Sequence, residues 1–139
     1  MKLSWTNYWT QMPIDHTLKV RVILLIAVSV TLSILFLSLI RLDDLPDLKV
    51  KQMDKYYHTF AYFVLTLSWI AYFKIRNKKL KINFLFYIVI GLILFGIVIE
   101  VLQRALTDYR LLDYQDMIAN TIGVILATTL FIPVRNKAF

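Results

Sequence analysis

The chain contains no cysteine, which removes disulfide frameworks, thiolate nucleophiles and cysteine-based zinc or iron–sulfur centres from consideration. Glycine and proline are almost as scarce, three of each in 139 residues. That leaves no flexible linker, low-complexity tract or internal repeat to divide the chain. Acidic residues are few, nine against sixteen basic ones. What abounds is apolar: 59% of the residues are hydrophobic and the mean hydropathy is +0.65, whereas a soluble domain is nearer about half apolar. A net charge of +7 would point to nucleic acid if the basic residues formed a soluble patch. They lie between apolar stretches instead, where attraction to anionic lipid headgroups and the fixing of topology account for them.

Val22 to Ile40 carries no charge over nineteen positions, close to the roughly 20 residues that cross a bilayer core. The sequence Leu39-Ile40-Arg41-Leu42 offers no small-residue cleavage site, so this segment reads as a retained span rather than a signal peptide. Three further spans are predicted, at about Tyr57–Phe73, Ile82–Leu102 and Met117–Val134. The second is short, and Tyr56, Tyr57, Trp69, Tyr72 and Phe73 at its ends suit the aromatic belts of the membrane interfaces. The expected fold is therefore all-α: an integral membrane four-helix bundle over residues 20–139. An N-terminal interfacial segment over residues 1–19 precedes it, in which Trp5, Tyr8, Trp9 and Met12 recur at helical spacing beside Lys2 and Lys19. Placing the N-terminus in the cytoplasm puts ten of the sixteen basic residues there, five of them in the loop Lys74–Lys81, and leaves six outside. The positive-inside rule then predicts both termini in the cytoplasm.

Against this apolar background Glu100 stands out, because it lies near the end of the third apolar run. An ionisable group at membrane depth is costly unless paired, and marks a functional site by default. Residues three or four apart share a helix face. Asp54, His58 and Tyr62 therefore stack on the second helix, Gly96, Glu100 and Gln103 on the third, and Asp113, Asp116, Asn120 and Gly123 on the fourth. Glu100 is eighteen residues beyond Ile82, roughly 27 Å along a helix axis, at the same edge of the bilayer where the second and fourth helices begin. The stripes are expected to converge on a polar pocket opening outward, lined by Asp54, Lys55, His58, Tyr62, Glu100, Gln103, Arg110, Asp113, Asp116 and Asn120. Gly96 and Gly123 would allow the helices to approach closely. Plainer readings exist for several of these residues alone, though not for Glu100, which needs a strong partner such as Arg110, Lys55 or His58. Asp54 and Asp116 suit helix starts, Lys55 suits a side chain reaching for headgroups, and Arg110 suits a clamp on the neighbouring carboxylates.

The motifs Asp54-Lys55-x-x-His58 with Tyr62-Phe63, Gly96-x-x-x-Glu100-x-x-Gln103, and Arg110-x-x-Asp113-x-x-Asp116-x-x-x-Asn120-Thr121-x-Gly123 follow one another in order. In these residues, over about 50–134, the chain resembles the VanZ-like family of small bacterial integral membrane proteins. The namesake of that family is associated with low-level resistance to the glycopeptide teicoplanin, without altered cell-wall precursors. The resemblance implies a multi-pass protein of the bacterial cytoplasmic membrane, acting in the cell envelope in an accessory role of that type.

Three functions fit the pattern. The first is an accessory protein whose outward pocket binds a lipid headgroup, a lipid-linked glycan or a lipophilic glycopeptide, with Lys55 and Arg110 facing phosphate or carboxylate. The second is a membrane-embedded enzyme using His58 with Glu100 or Asp116 as acid and base. No G-x-S-x-G elbow or H-E-x-x-H pair accompanies it. The third is a proton-coupled carrier relaying through the same pair. No cofactor, metal or nucleic-acid partner is expected, since one His with scattered carboxylates is a weak metal signature. Membrane lipids are the expected partners.

Overall fold

The computed structural model describes residues 15–39, 53–77, 80–106 and 113–135. Four α-helices make up nearly all of it: α1 (His16–Leu39), α2 (Met53–Asn77), α3 (Ile82–Leu106) and α4 (Tyr114–Phe131), followed by a single 3-10 turn, Ile132–Val134, that carries Pro133. The described residues contain no strand, and the all-α bundle expected from the sequence is what forms. The expected interfacial segment falls largely on residues 1–14, outside the described residues. His16 to Lys19 belong to the first turn of α1.

α1, α3 and Tyr114–Val134 are long and apolar enough to cross a membrane, which marks the chain as a membrane protein. α2 has the length, 25 residues, but falls short of the other three in apolar character. The packing explains why. α2 touches each of the other helices, most extensively α4, and buries Tyr62, Leu65, Thr66, Ile70, Tyr72 and Lys74. A helix sheltered by protein can carry polar groups that a lipid-facing helix cannot. α1 is the converse case, burying only Ala27 and exposing Leu25, Phe36 and Leu37, as a helix surrounded by hydrocarbon would. The core gathers Tyr62, Leu65 and Ile70 of α2, Leu85, Ile88 and Leu92 of α3, and Val124 and Phe131 of α4, with Leu80 closing one end.

The helices alternate in direction, and side-chain hooks fix which ends meet. His16 Nε2 lies 3.0 Å from the carbonyl of Ile75, and the buried Lys74 ammonium donates to the carbonyl of Arg135. At the other end Gln103 Nε2 donates to the carbonyl of Ser38 at 2.8 Å. Midway, Trp69 Nε1 donates to Thr31 Oγ1 at 3.1 Å, joining α2 to α1. Charge divides accordingly. Lys19, Arg21, Lys74, Arg76, Lys81 and Arg135 gather at the end where α1 begins. Asp54, Glu100, Asp113 and Asp116 gather at the end where it finishes.

Gly123 sets the spacing between α2 and α4. A Cβ there would collide with the backbone carbonyl oxygen of Thr59 and lie 3.0 Å from the Phe63 nitrogen. The Thr59 hydroxyl donates across the same contact to the carbonyl of Ala119 at 3.1 Å. Backbone cannot yield as a flexible side chain can. Gly123→Ala should therefore destabilise the protein by about 1–3 kcal/mol or more in detergent unfolding. Gly91→Ala, where an added Cβ meets nothing within 4 Å, should be neutral or slightly stabilising. Equal effects of the two substitutions would contradict this account of the α2–α4 contact.

Candidate functional site

The polar stripes of α2, α3 and α4 meet at the end of the bundle away from the basic cluster. Asp113 is the N-cap of α4, its carboxylate accepting from the Gln115 backbone N–H at 2.8 Å. Asp116, one turn further on, is thereby released from capping. It faces α2, where Lys55 and His58 project one turn apart.

Lys55 is the hub. Its ammonium donates to Asp54 at 2.9 Å, to Asp113 at 2.5 Å and to Asp116 at 2.5 Å, so it ties the start of α2 to the start of α4. The sequence suggested that Lys55 reaches for headgroups or faces a ligand phosphate. The structure gives it three carboxylates instead. These contacts act on titration at the mouth of the site. Burial works against charge on Lys55, but the bonds to Asp113, Asp116 and Asp54 prevail and raise its pKa above the ordinary range. The hydrogen bond from Lys55 holds Asp113 below the usual carboxylate value. Asp54 feels some burial, which the ion pair with Lys55 outweighs, so it too is lowered.

Deeper in, Glu100 is 3% exposed and His58 22%. Asn120 links them, its Oδ1 lying 3.1 Å from His58 Nδ1 and its Nδ2 donating to Glu100 Oε1 at 3.5 Å. The imidazole stands between two carboxylates, with Nδ1 3.8 Å from Glu100 Oε1 and Nε2 3.6 Å from Asp116 Oδ2. Asp116 thus belongs to both groups, joining the Lys55 hub to the buried His58–Asn120–Glu100 chain. Gly96 makes room for this arrangement, since a Cβ there would lie 3.1 Å from the Tyr62 ring and 3.3 Å from Asn120 Cβ. Tyr62 is buried, and its hydroxyl has no hydrogen-bond partner among the described residues.

Asp54, Lys55, His58, Glu100, Asp113, Asp116 and Asn120 form one connected network. Tyr62 and Gln103 adjoin it through a cleft of about 340 Å³ between α1 and α2. Arg110 lies outside the described residues. The cleft is what sequence reasoning missed. Its walls include Ile34, Leu37 and Ser38 of α1, residues with no pattern to separate them from the rest of an apolar span. His58, Glu100 and Asp116 also offer donor atoms within 4.8 Å of one another, a spacing at which a divalent cation fits. The two nitrogens of His58 face different carboxylates. Comparison of the chain with protein-family models, curated proteins and solved structures returns no match.

Replacing Lys55 with Met removes the ammonium from three carboxylates, of which only Asp116 is largely withdrawn from solvent, and should cost about 1–2 kcal/mol. The pH response follows from the depressed Asp54 and Asp113. Their contribution to stability is complete above about pH 4 and fades as the pH falls through their lowered values. Unfolding midpoints measured from pH 7 down to pH 2 should drop at the acid end in the wild type, and less steeply in Lys55→Met. Parallel curves would show that the hub does not carry the acid response.

Proposed function

We propose that this is a VanZ-like protein of the bacterial cytoplasmic membrane, with both termini in the cytoplasm. In this reading its carboxylate-rich end faces outward and binds the polar head of an amphipathic envelope molecule. The observation that carries the reading is the cleft between α1 and α2. Ile34, Leu37 and Ala61 give it an apolar wall, and Ser38, Asp54, His58 and Gln103 give it a polar one, the combination typical of a site that orients a ligand through a few polar groups. Tyr62 also lines the cleft, its hydroxyl buried without a hydrogen-bond partner among the described residues. Six basic side chains at the opposite end support the cytoplasmic assignment of that end.

The charges narrow the ligand class. Among the described residues four carboxylates share this end with Lys55 and the exposed Arg104, and the Lys55 ammonium is already shared by three of them. Such a site repels bare phosphate and favours hydroxyl or amine groups. A lipid-linked glycan, an amine-bearing lipid headgroup or the sugar-bearing face of a lipophilic glycopeptide therefore fits better than an anionic head. The teicoplanin-type accessory role would be one use of such binding. Catalysis on the same ligand is a second reading, favoured by the imidazole between Glu100 and Asp116, which is placed to take a proton from one side and pass it to the other.

Native mass spectrometry of the protein extracted with its lipids tests the proposal. A reproducible adduct carrying sugar or amine groups is expected, and Ala61→Trp, which fills the cleft, should remove it without changing the unfolding midpoint by more than a few degrees. An adduct that survives Ala61→Trp overturns the cleft as the binding site. Conversion of the bound molecule by the wild type, abolished in Glu100→Gln, would establish the catalytic reading over simple binding.

A further inference from the structure

At the end of the bundle remote from the carboxylates, two hollows between α2 and α3 run into each other. The one at the mouth, about 480 Å³, is bounded by Arg76, Asn77, Leu80 and Lys81. The deeper one, about 270 Å³, is bounded by Trp69, Tyr87, Gly91 and Leu92. Phe73 and Phe84 line both and make them one groove. From Lys81 to Gly91 the groove descends ten residues along α3, about 15 Å at 1.5 Å per residue. That is half of a hydrocarbon core roughly 30 Å thick, or the depth of one leaflet. The floor is open at Gly91, where nothing lies within 4 Å of an added Cβ.

The mouth is basic and the walls are aromatic. The Arg76 guanidinium is fixed by donation to the Tyr72 hydroxyl at 2.6 Å, over the ring of the same residue, and Lys81 is exposed beside it. Neither has an ion-pair partner among the described residues. Asp15, the one described acid at this end, accepts from the Thr17 backbone N–H on α1. Below the mouth, Phe73 meets Phe84 edge-on at 5.0 Å and stacks with Trp69 at 5.8 Å, a largely aromatic lining in which the Trp69 N–H is already given to Thr31.

We infer that this groove holds one anionic glycerophospholipid, its phosphate against Arg76 and Lys81 and an acyl chain lying along Phe73, Phe84 and Tyr87 as far as Gly91. The charge at the mouth selects an anionic head, and the one-leaflet depth selects a lipid tail over a soluble anion. This groove is separate from the cleft at the carboxylate end, so the two assignments stand or fall independently.

The test is native mass spectrometry of the delipidated full chain, incubated with an equimolar mixture of phosphatidylglycerol and phosphatidylcholine of identical acyl chains. One retained phosphatidylglycerol is expected, preferred over phosphatidylcholine by roughly tenfold. Lys81→Gln should lower that preference by roughly threefold, and Arg76→Gln combined with Lys81→Gln should abolish it. Gly91→Leu, which occupies the floor without meeting the core, should reduce retention of both lipids. Equal retention of the two lipids by the wild type overturns the inference, as does an unchanged preference in the double variant. Displacement of the lipid by millimolar inorganic phosphate would also overturn it, since that would make the site one for an anion rather than a lipid.

Discussion

The close approach of α2 to α4 across Gly123 is the constraint on which the rest depends. With no side chain at that position, the carbonyl oxygen of Thr59 sits where a Cβ would otherwise be. Every polar contact between the two helices is set by that spacing. Lys55 reaches Asp113 and Asp116, and His58 reaches Asn120 and Asp116. α3 then adds Glu100 from the side. Backbone proximity comes first and the electrostatics follow from it, because charged groups half withdrawn from water are tolerable only when partners are held within hydrogen-bond reach.

Much of this was legible in the sequence, for identifiable reasons. Four helices and their approximate bounds followed from apolar run length, and the convergence of Asp54, His58, Glu100, Asp116 and Asn120 followed from helical spacing and matched depth. Gly96 and Gly123 were rightly read as points of close approach. Less legible was the division of labour within the cluster. Asp113 and Asp116 are both near the start of α4, and spacing cannot say which caps the helix and which turns to Lys55; that depends on the backbone at residue 113, which is extended there. The role of Lys55 was hidden for a related reason. A lysine at a helix start suits headgroup contact equally well until the position of a second helix is known.

The composition of α2 was a further source of ambiguity. Its polar and aromatic content made it look like a short span flanked by interfacial belts; the helix runs to 25 residues, exposes Tyr56, Tyr57 and Phe60 near its start and packs against the other three helices further along. Tyr62, at 1% exposure, is a core residue, and so is the aliphatic stem of Lys74, whose ammonium finds the carbonyl of Arg135. Hydropathy measured along a single helix reports the average surroundings of its side chains. It cannot separate a helix partly exposed to water from one wrapped by other helices.

α1 is joined to the bundle differently from the others. It contributes one buried residue, Ala27, and is held at three depths by His16 to Ile75, by Thr31 to Trp69 and by Ser38 to Gln103. Those hooks are worth on the order of 1 kcal/mol each, far less than the packing that unites α2 with α4. α1 supplies Ile34, Leu37 and Ser38 to one wall of the cleft beside His58, so the width of the cleft depends on the helix that buries a single residue. That wall is the side of the cleft whose position rests least on buried packing.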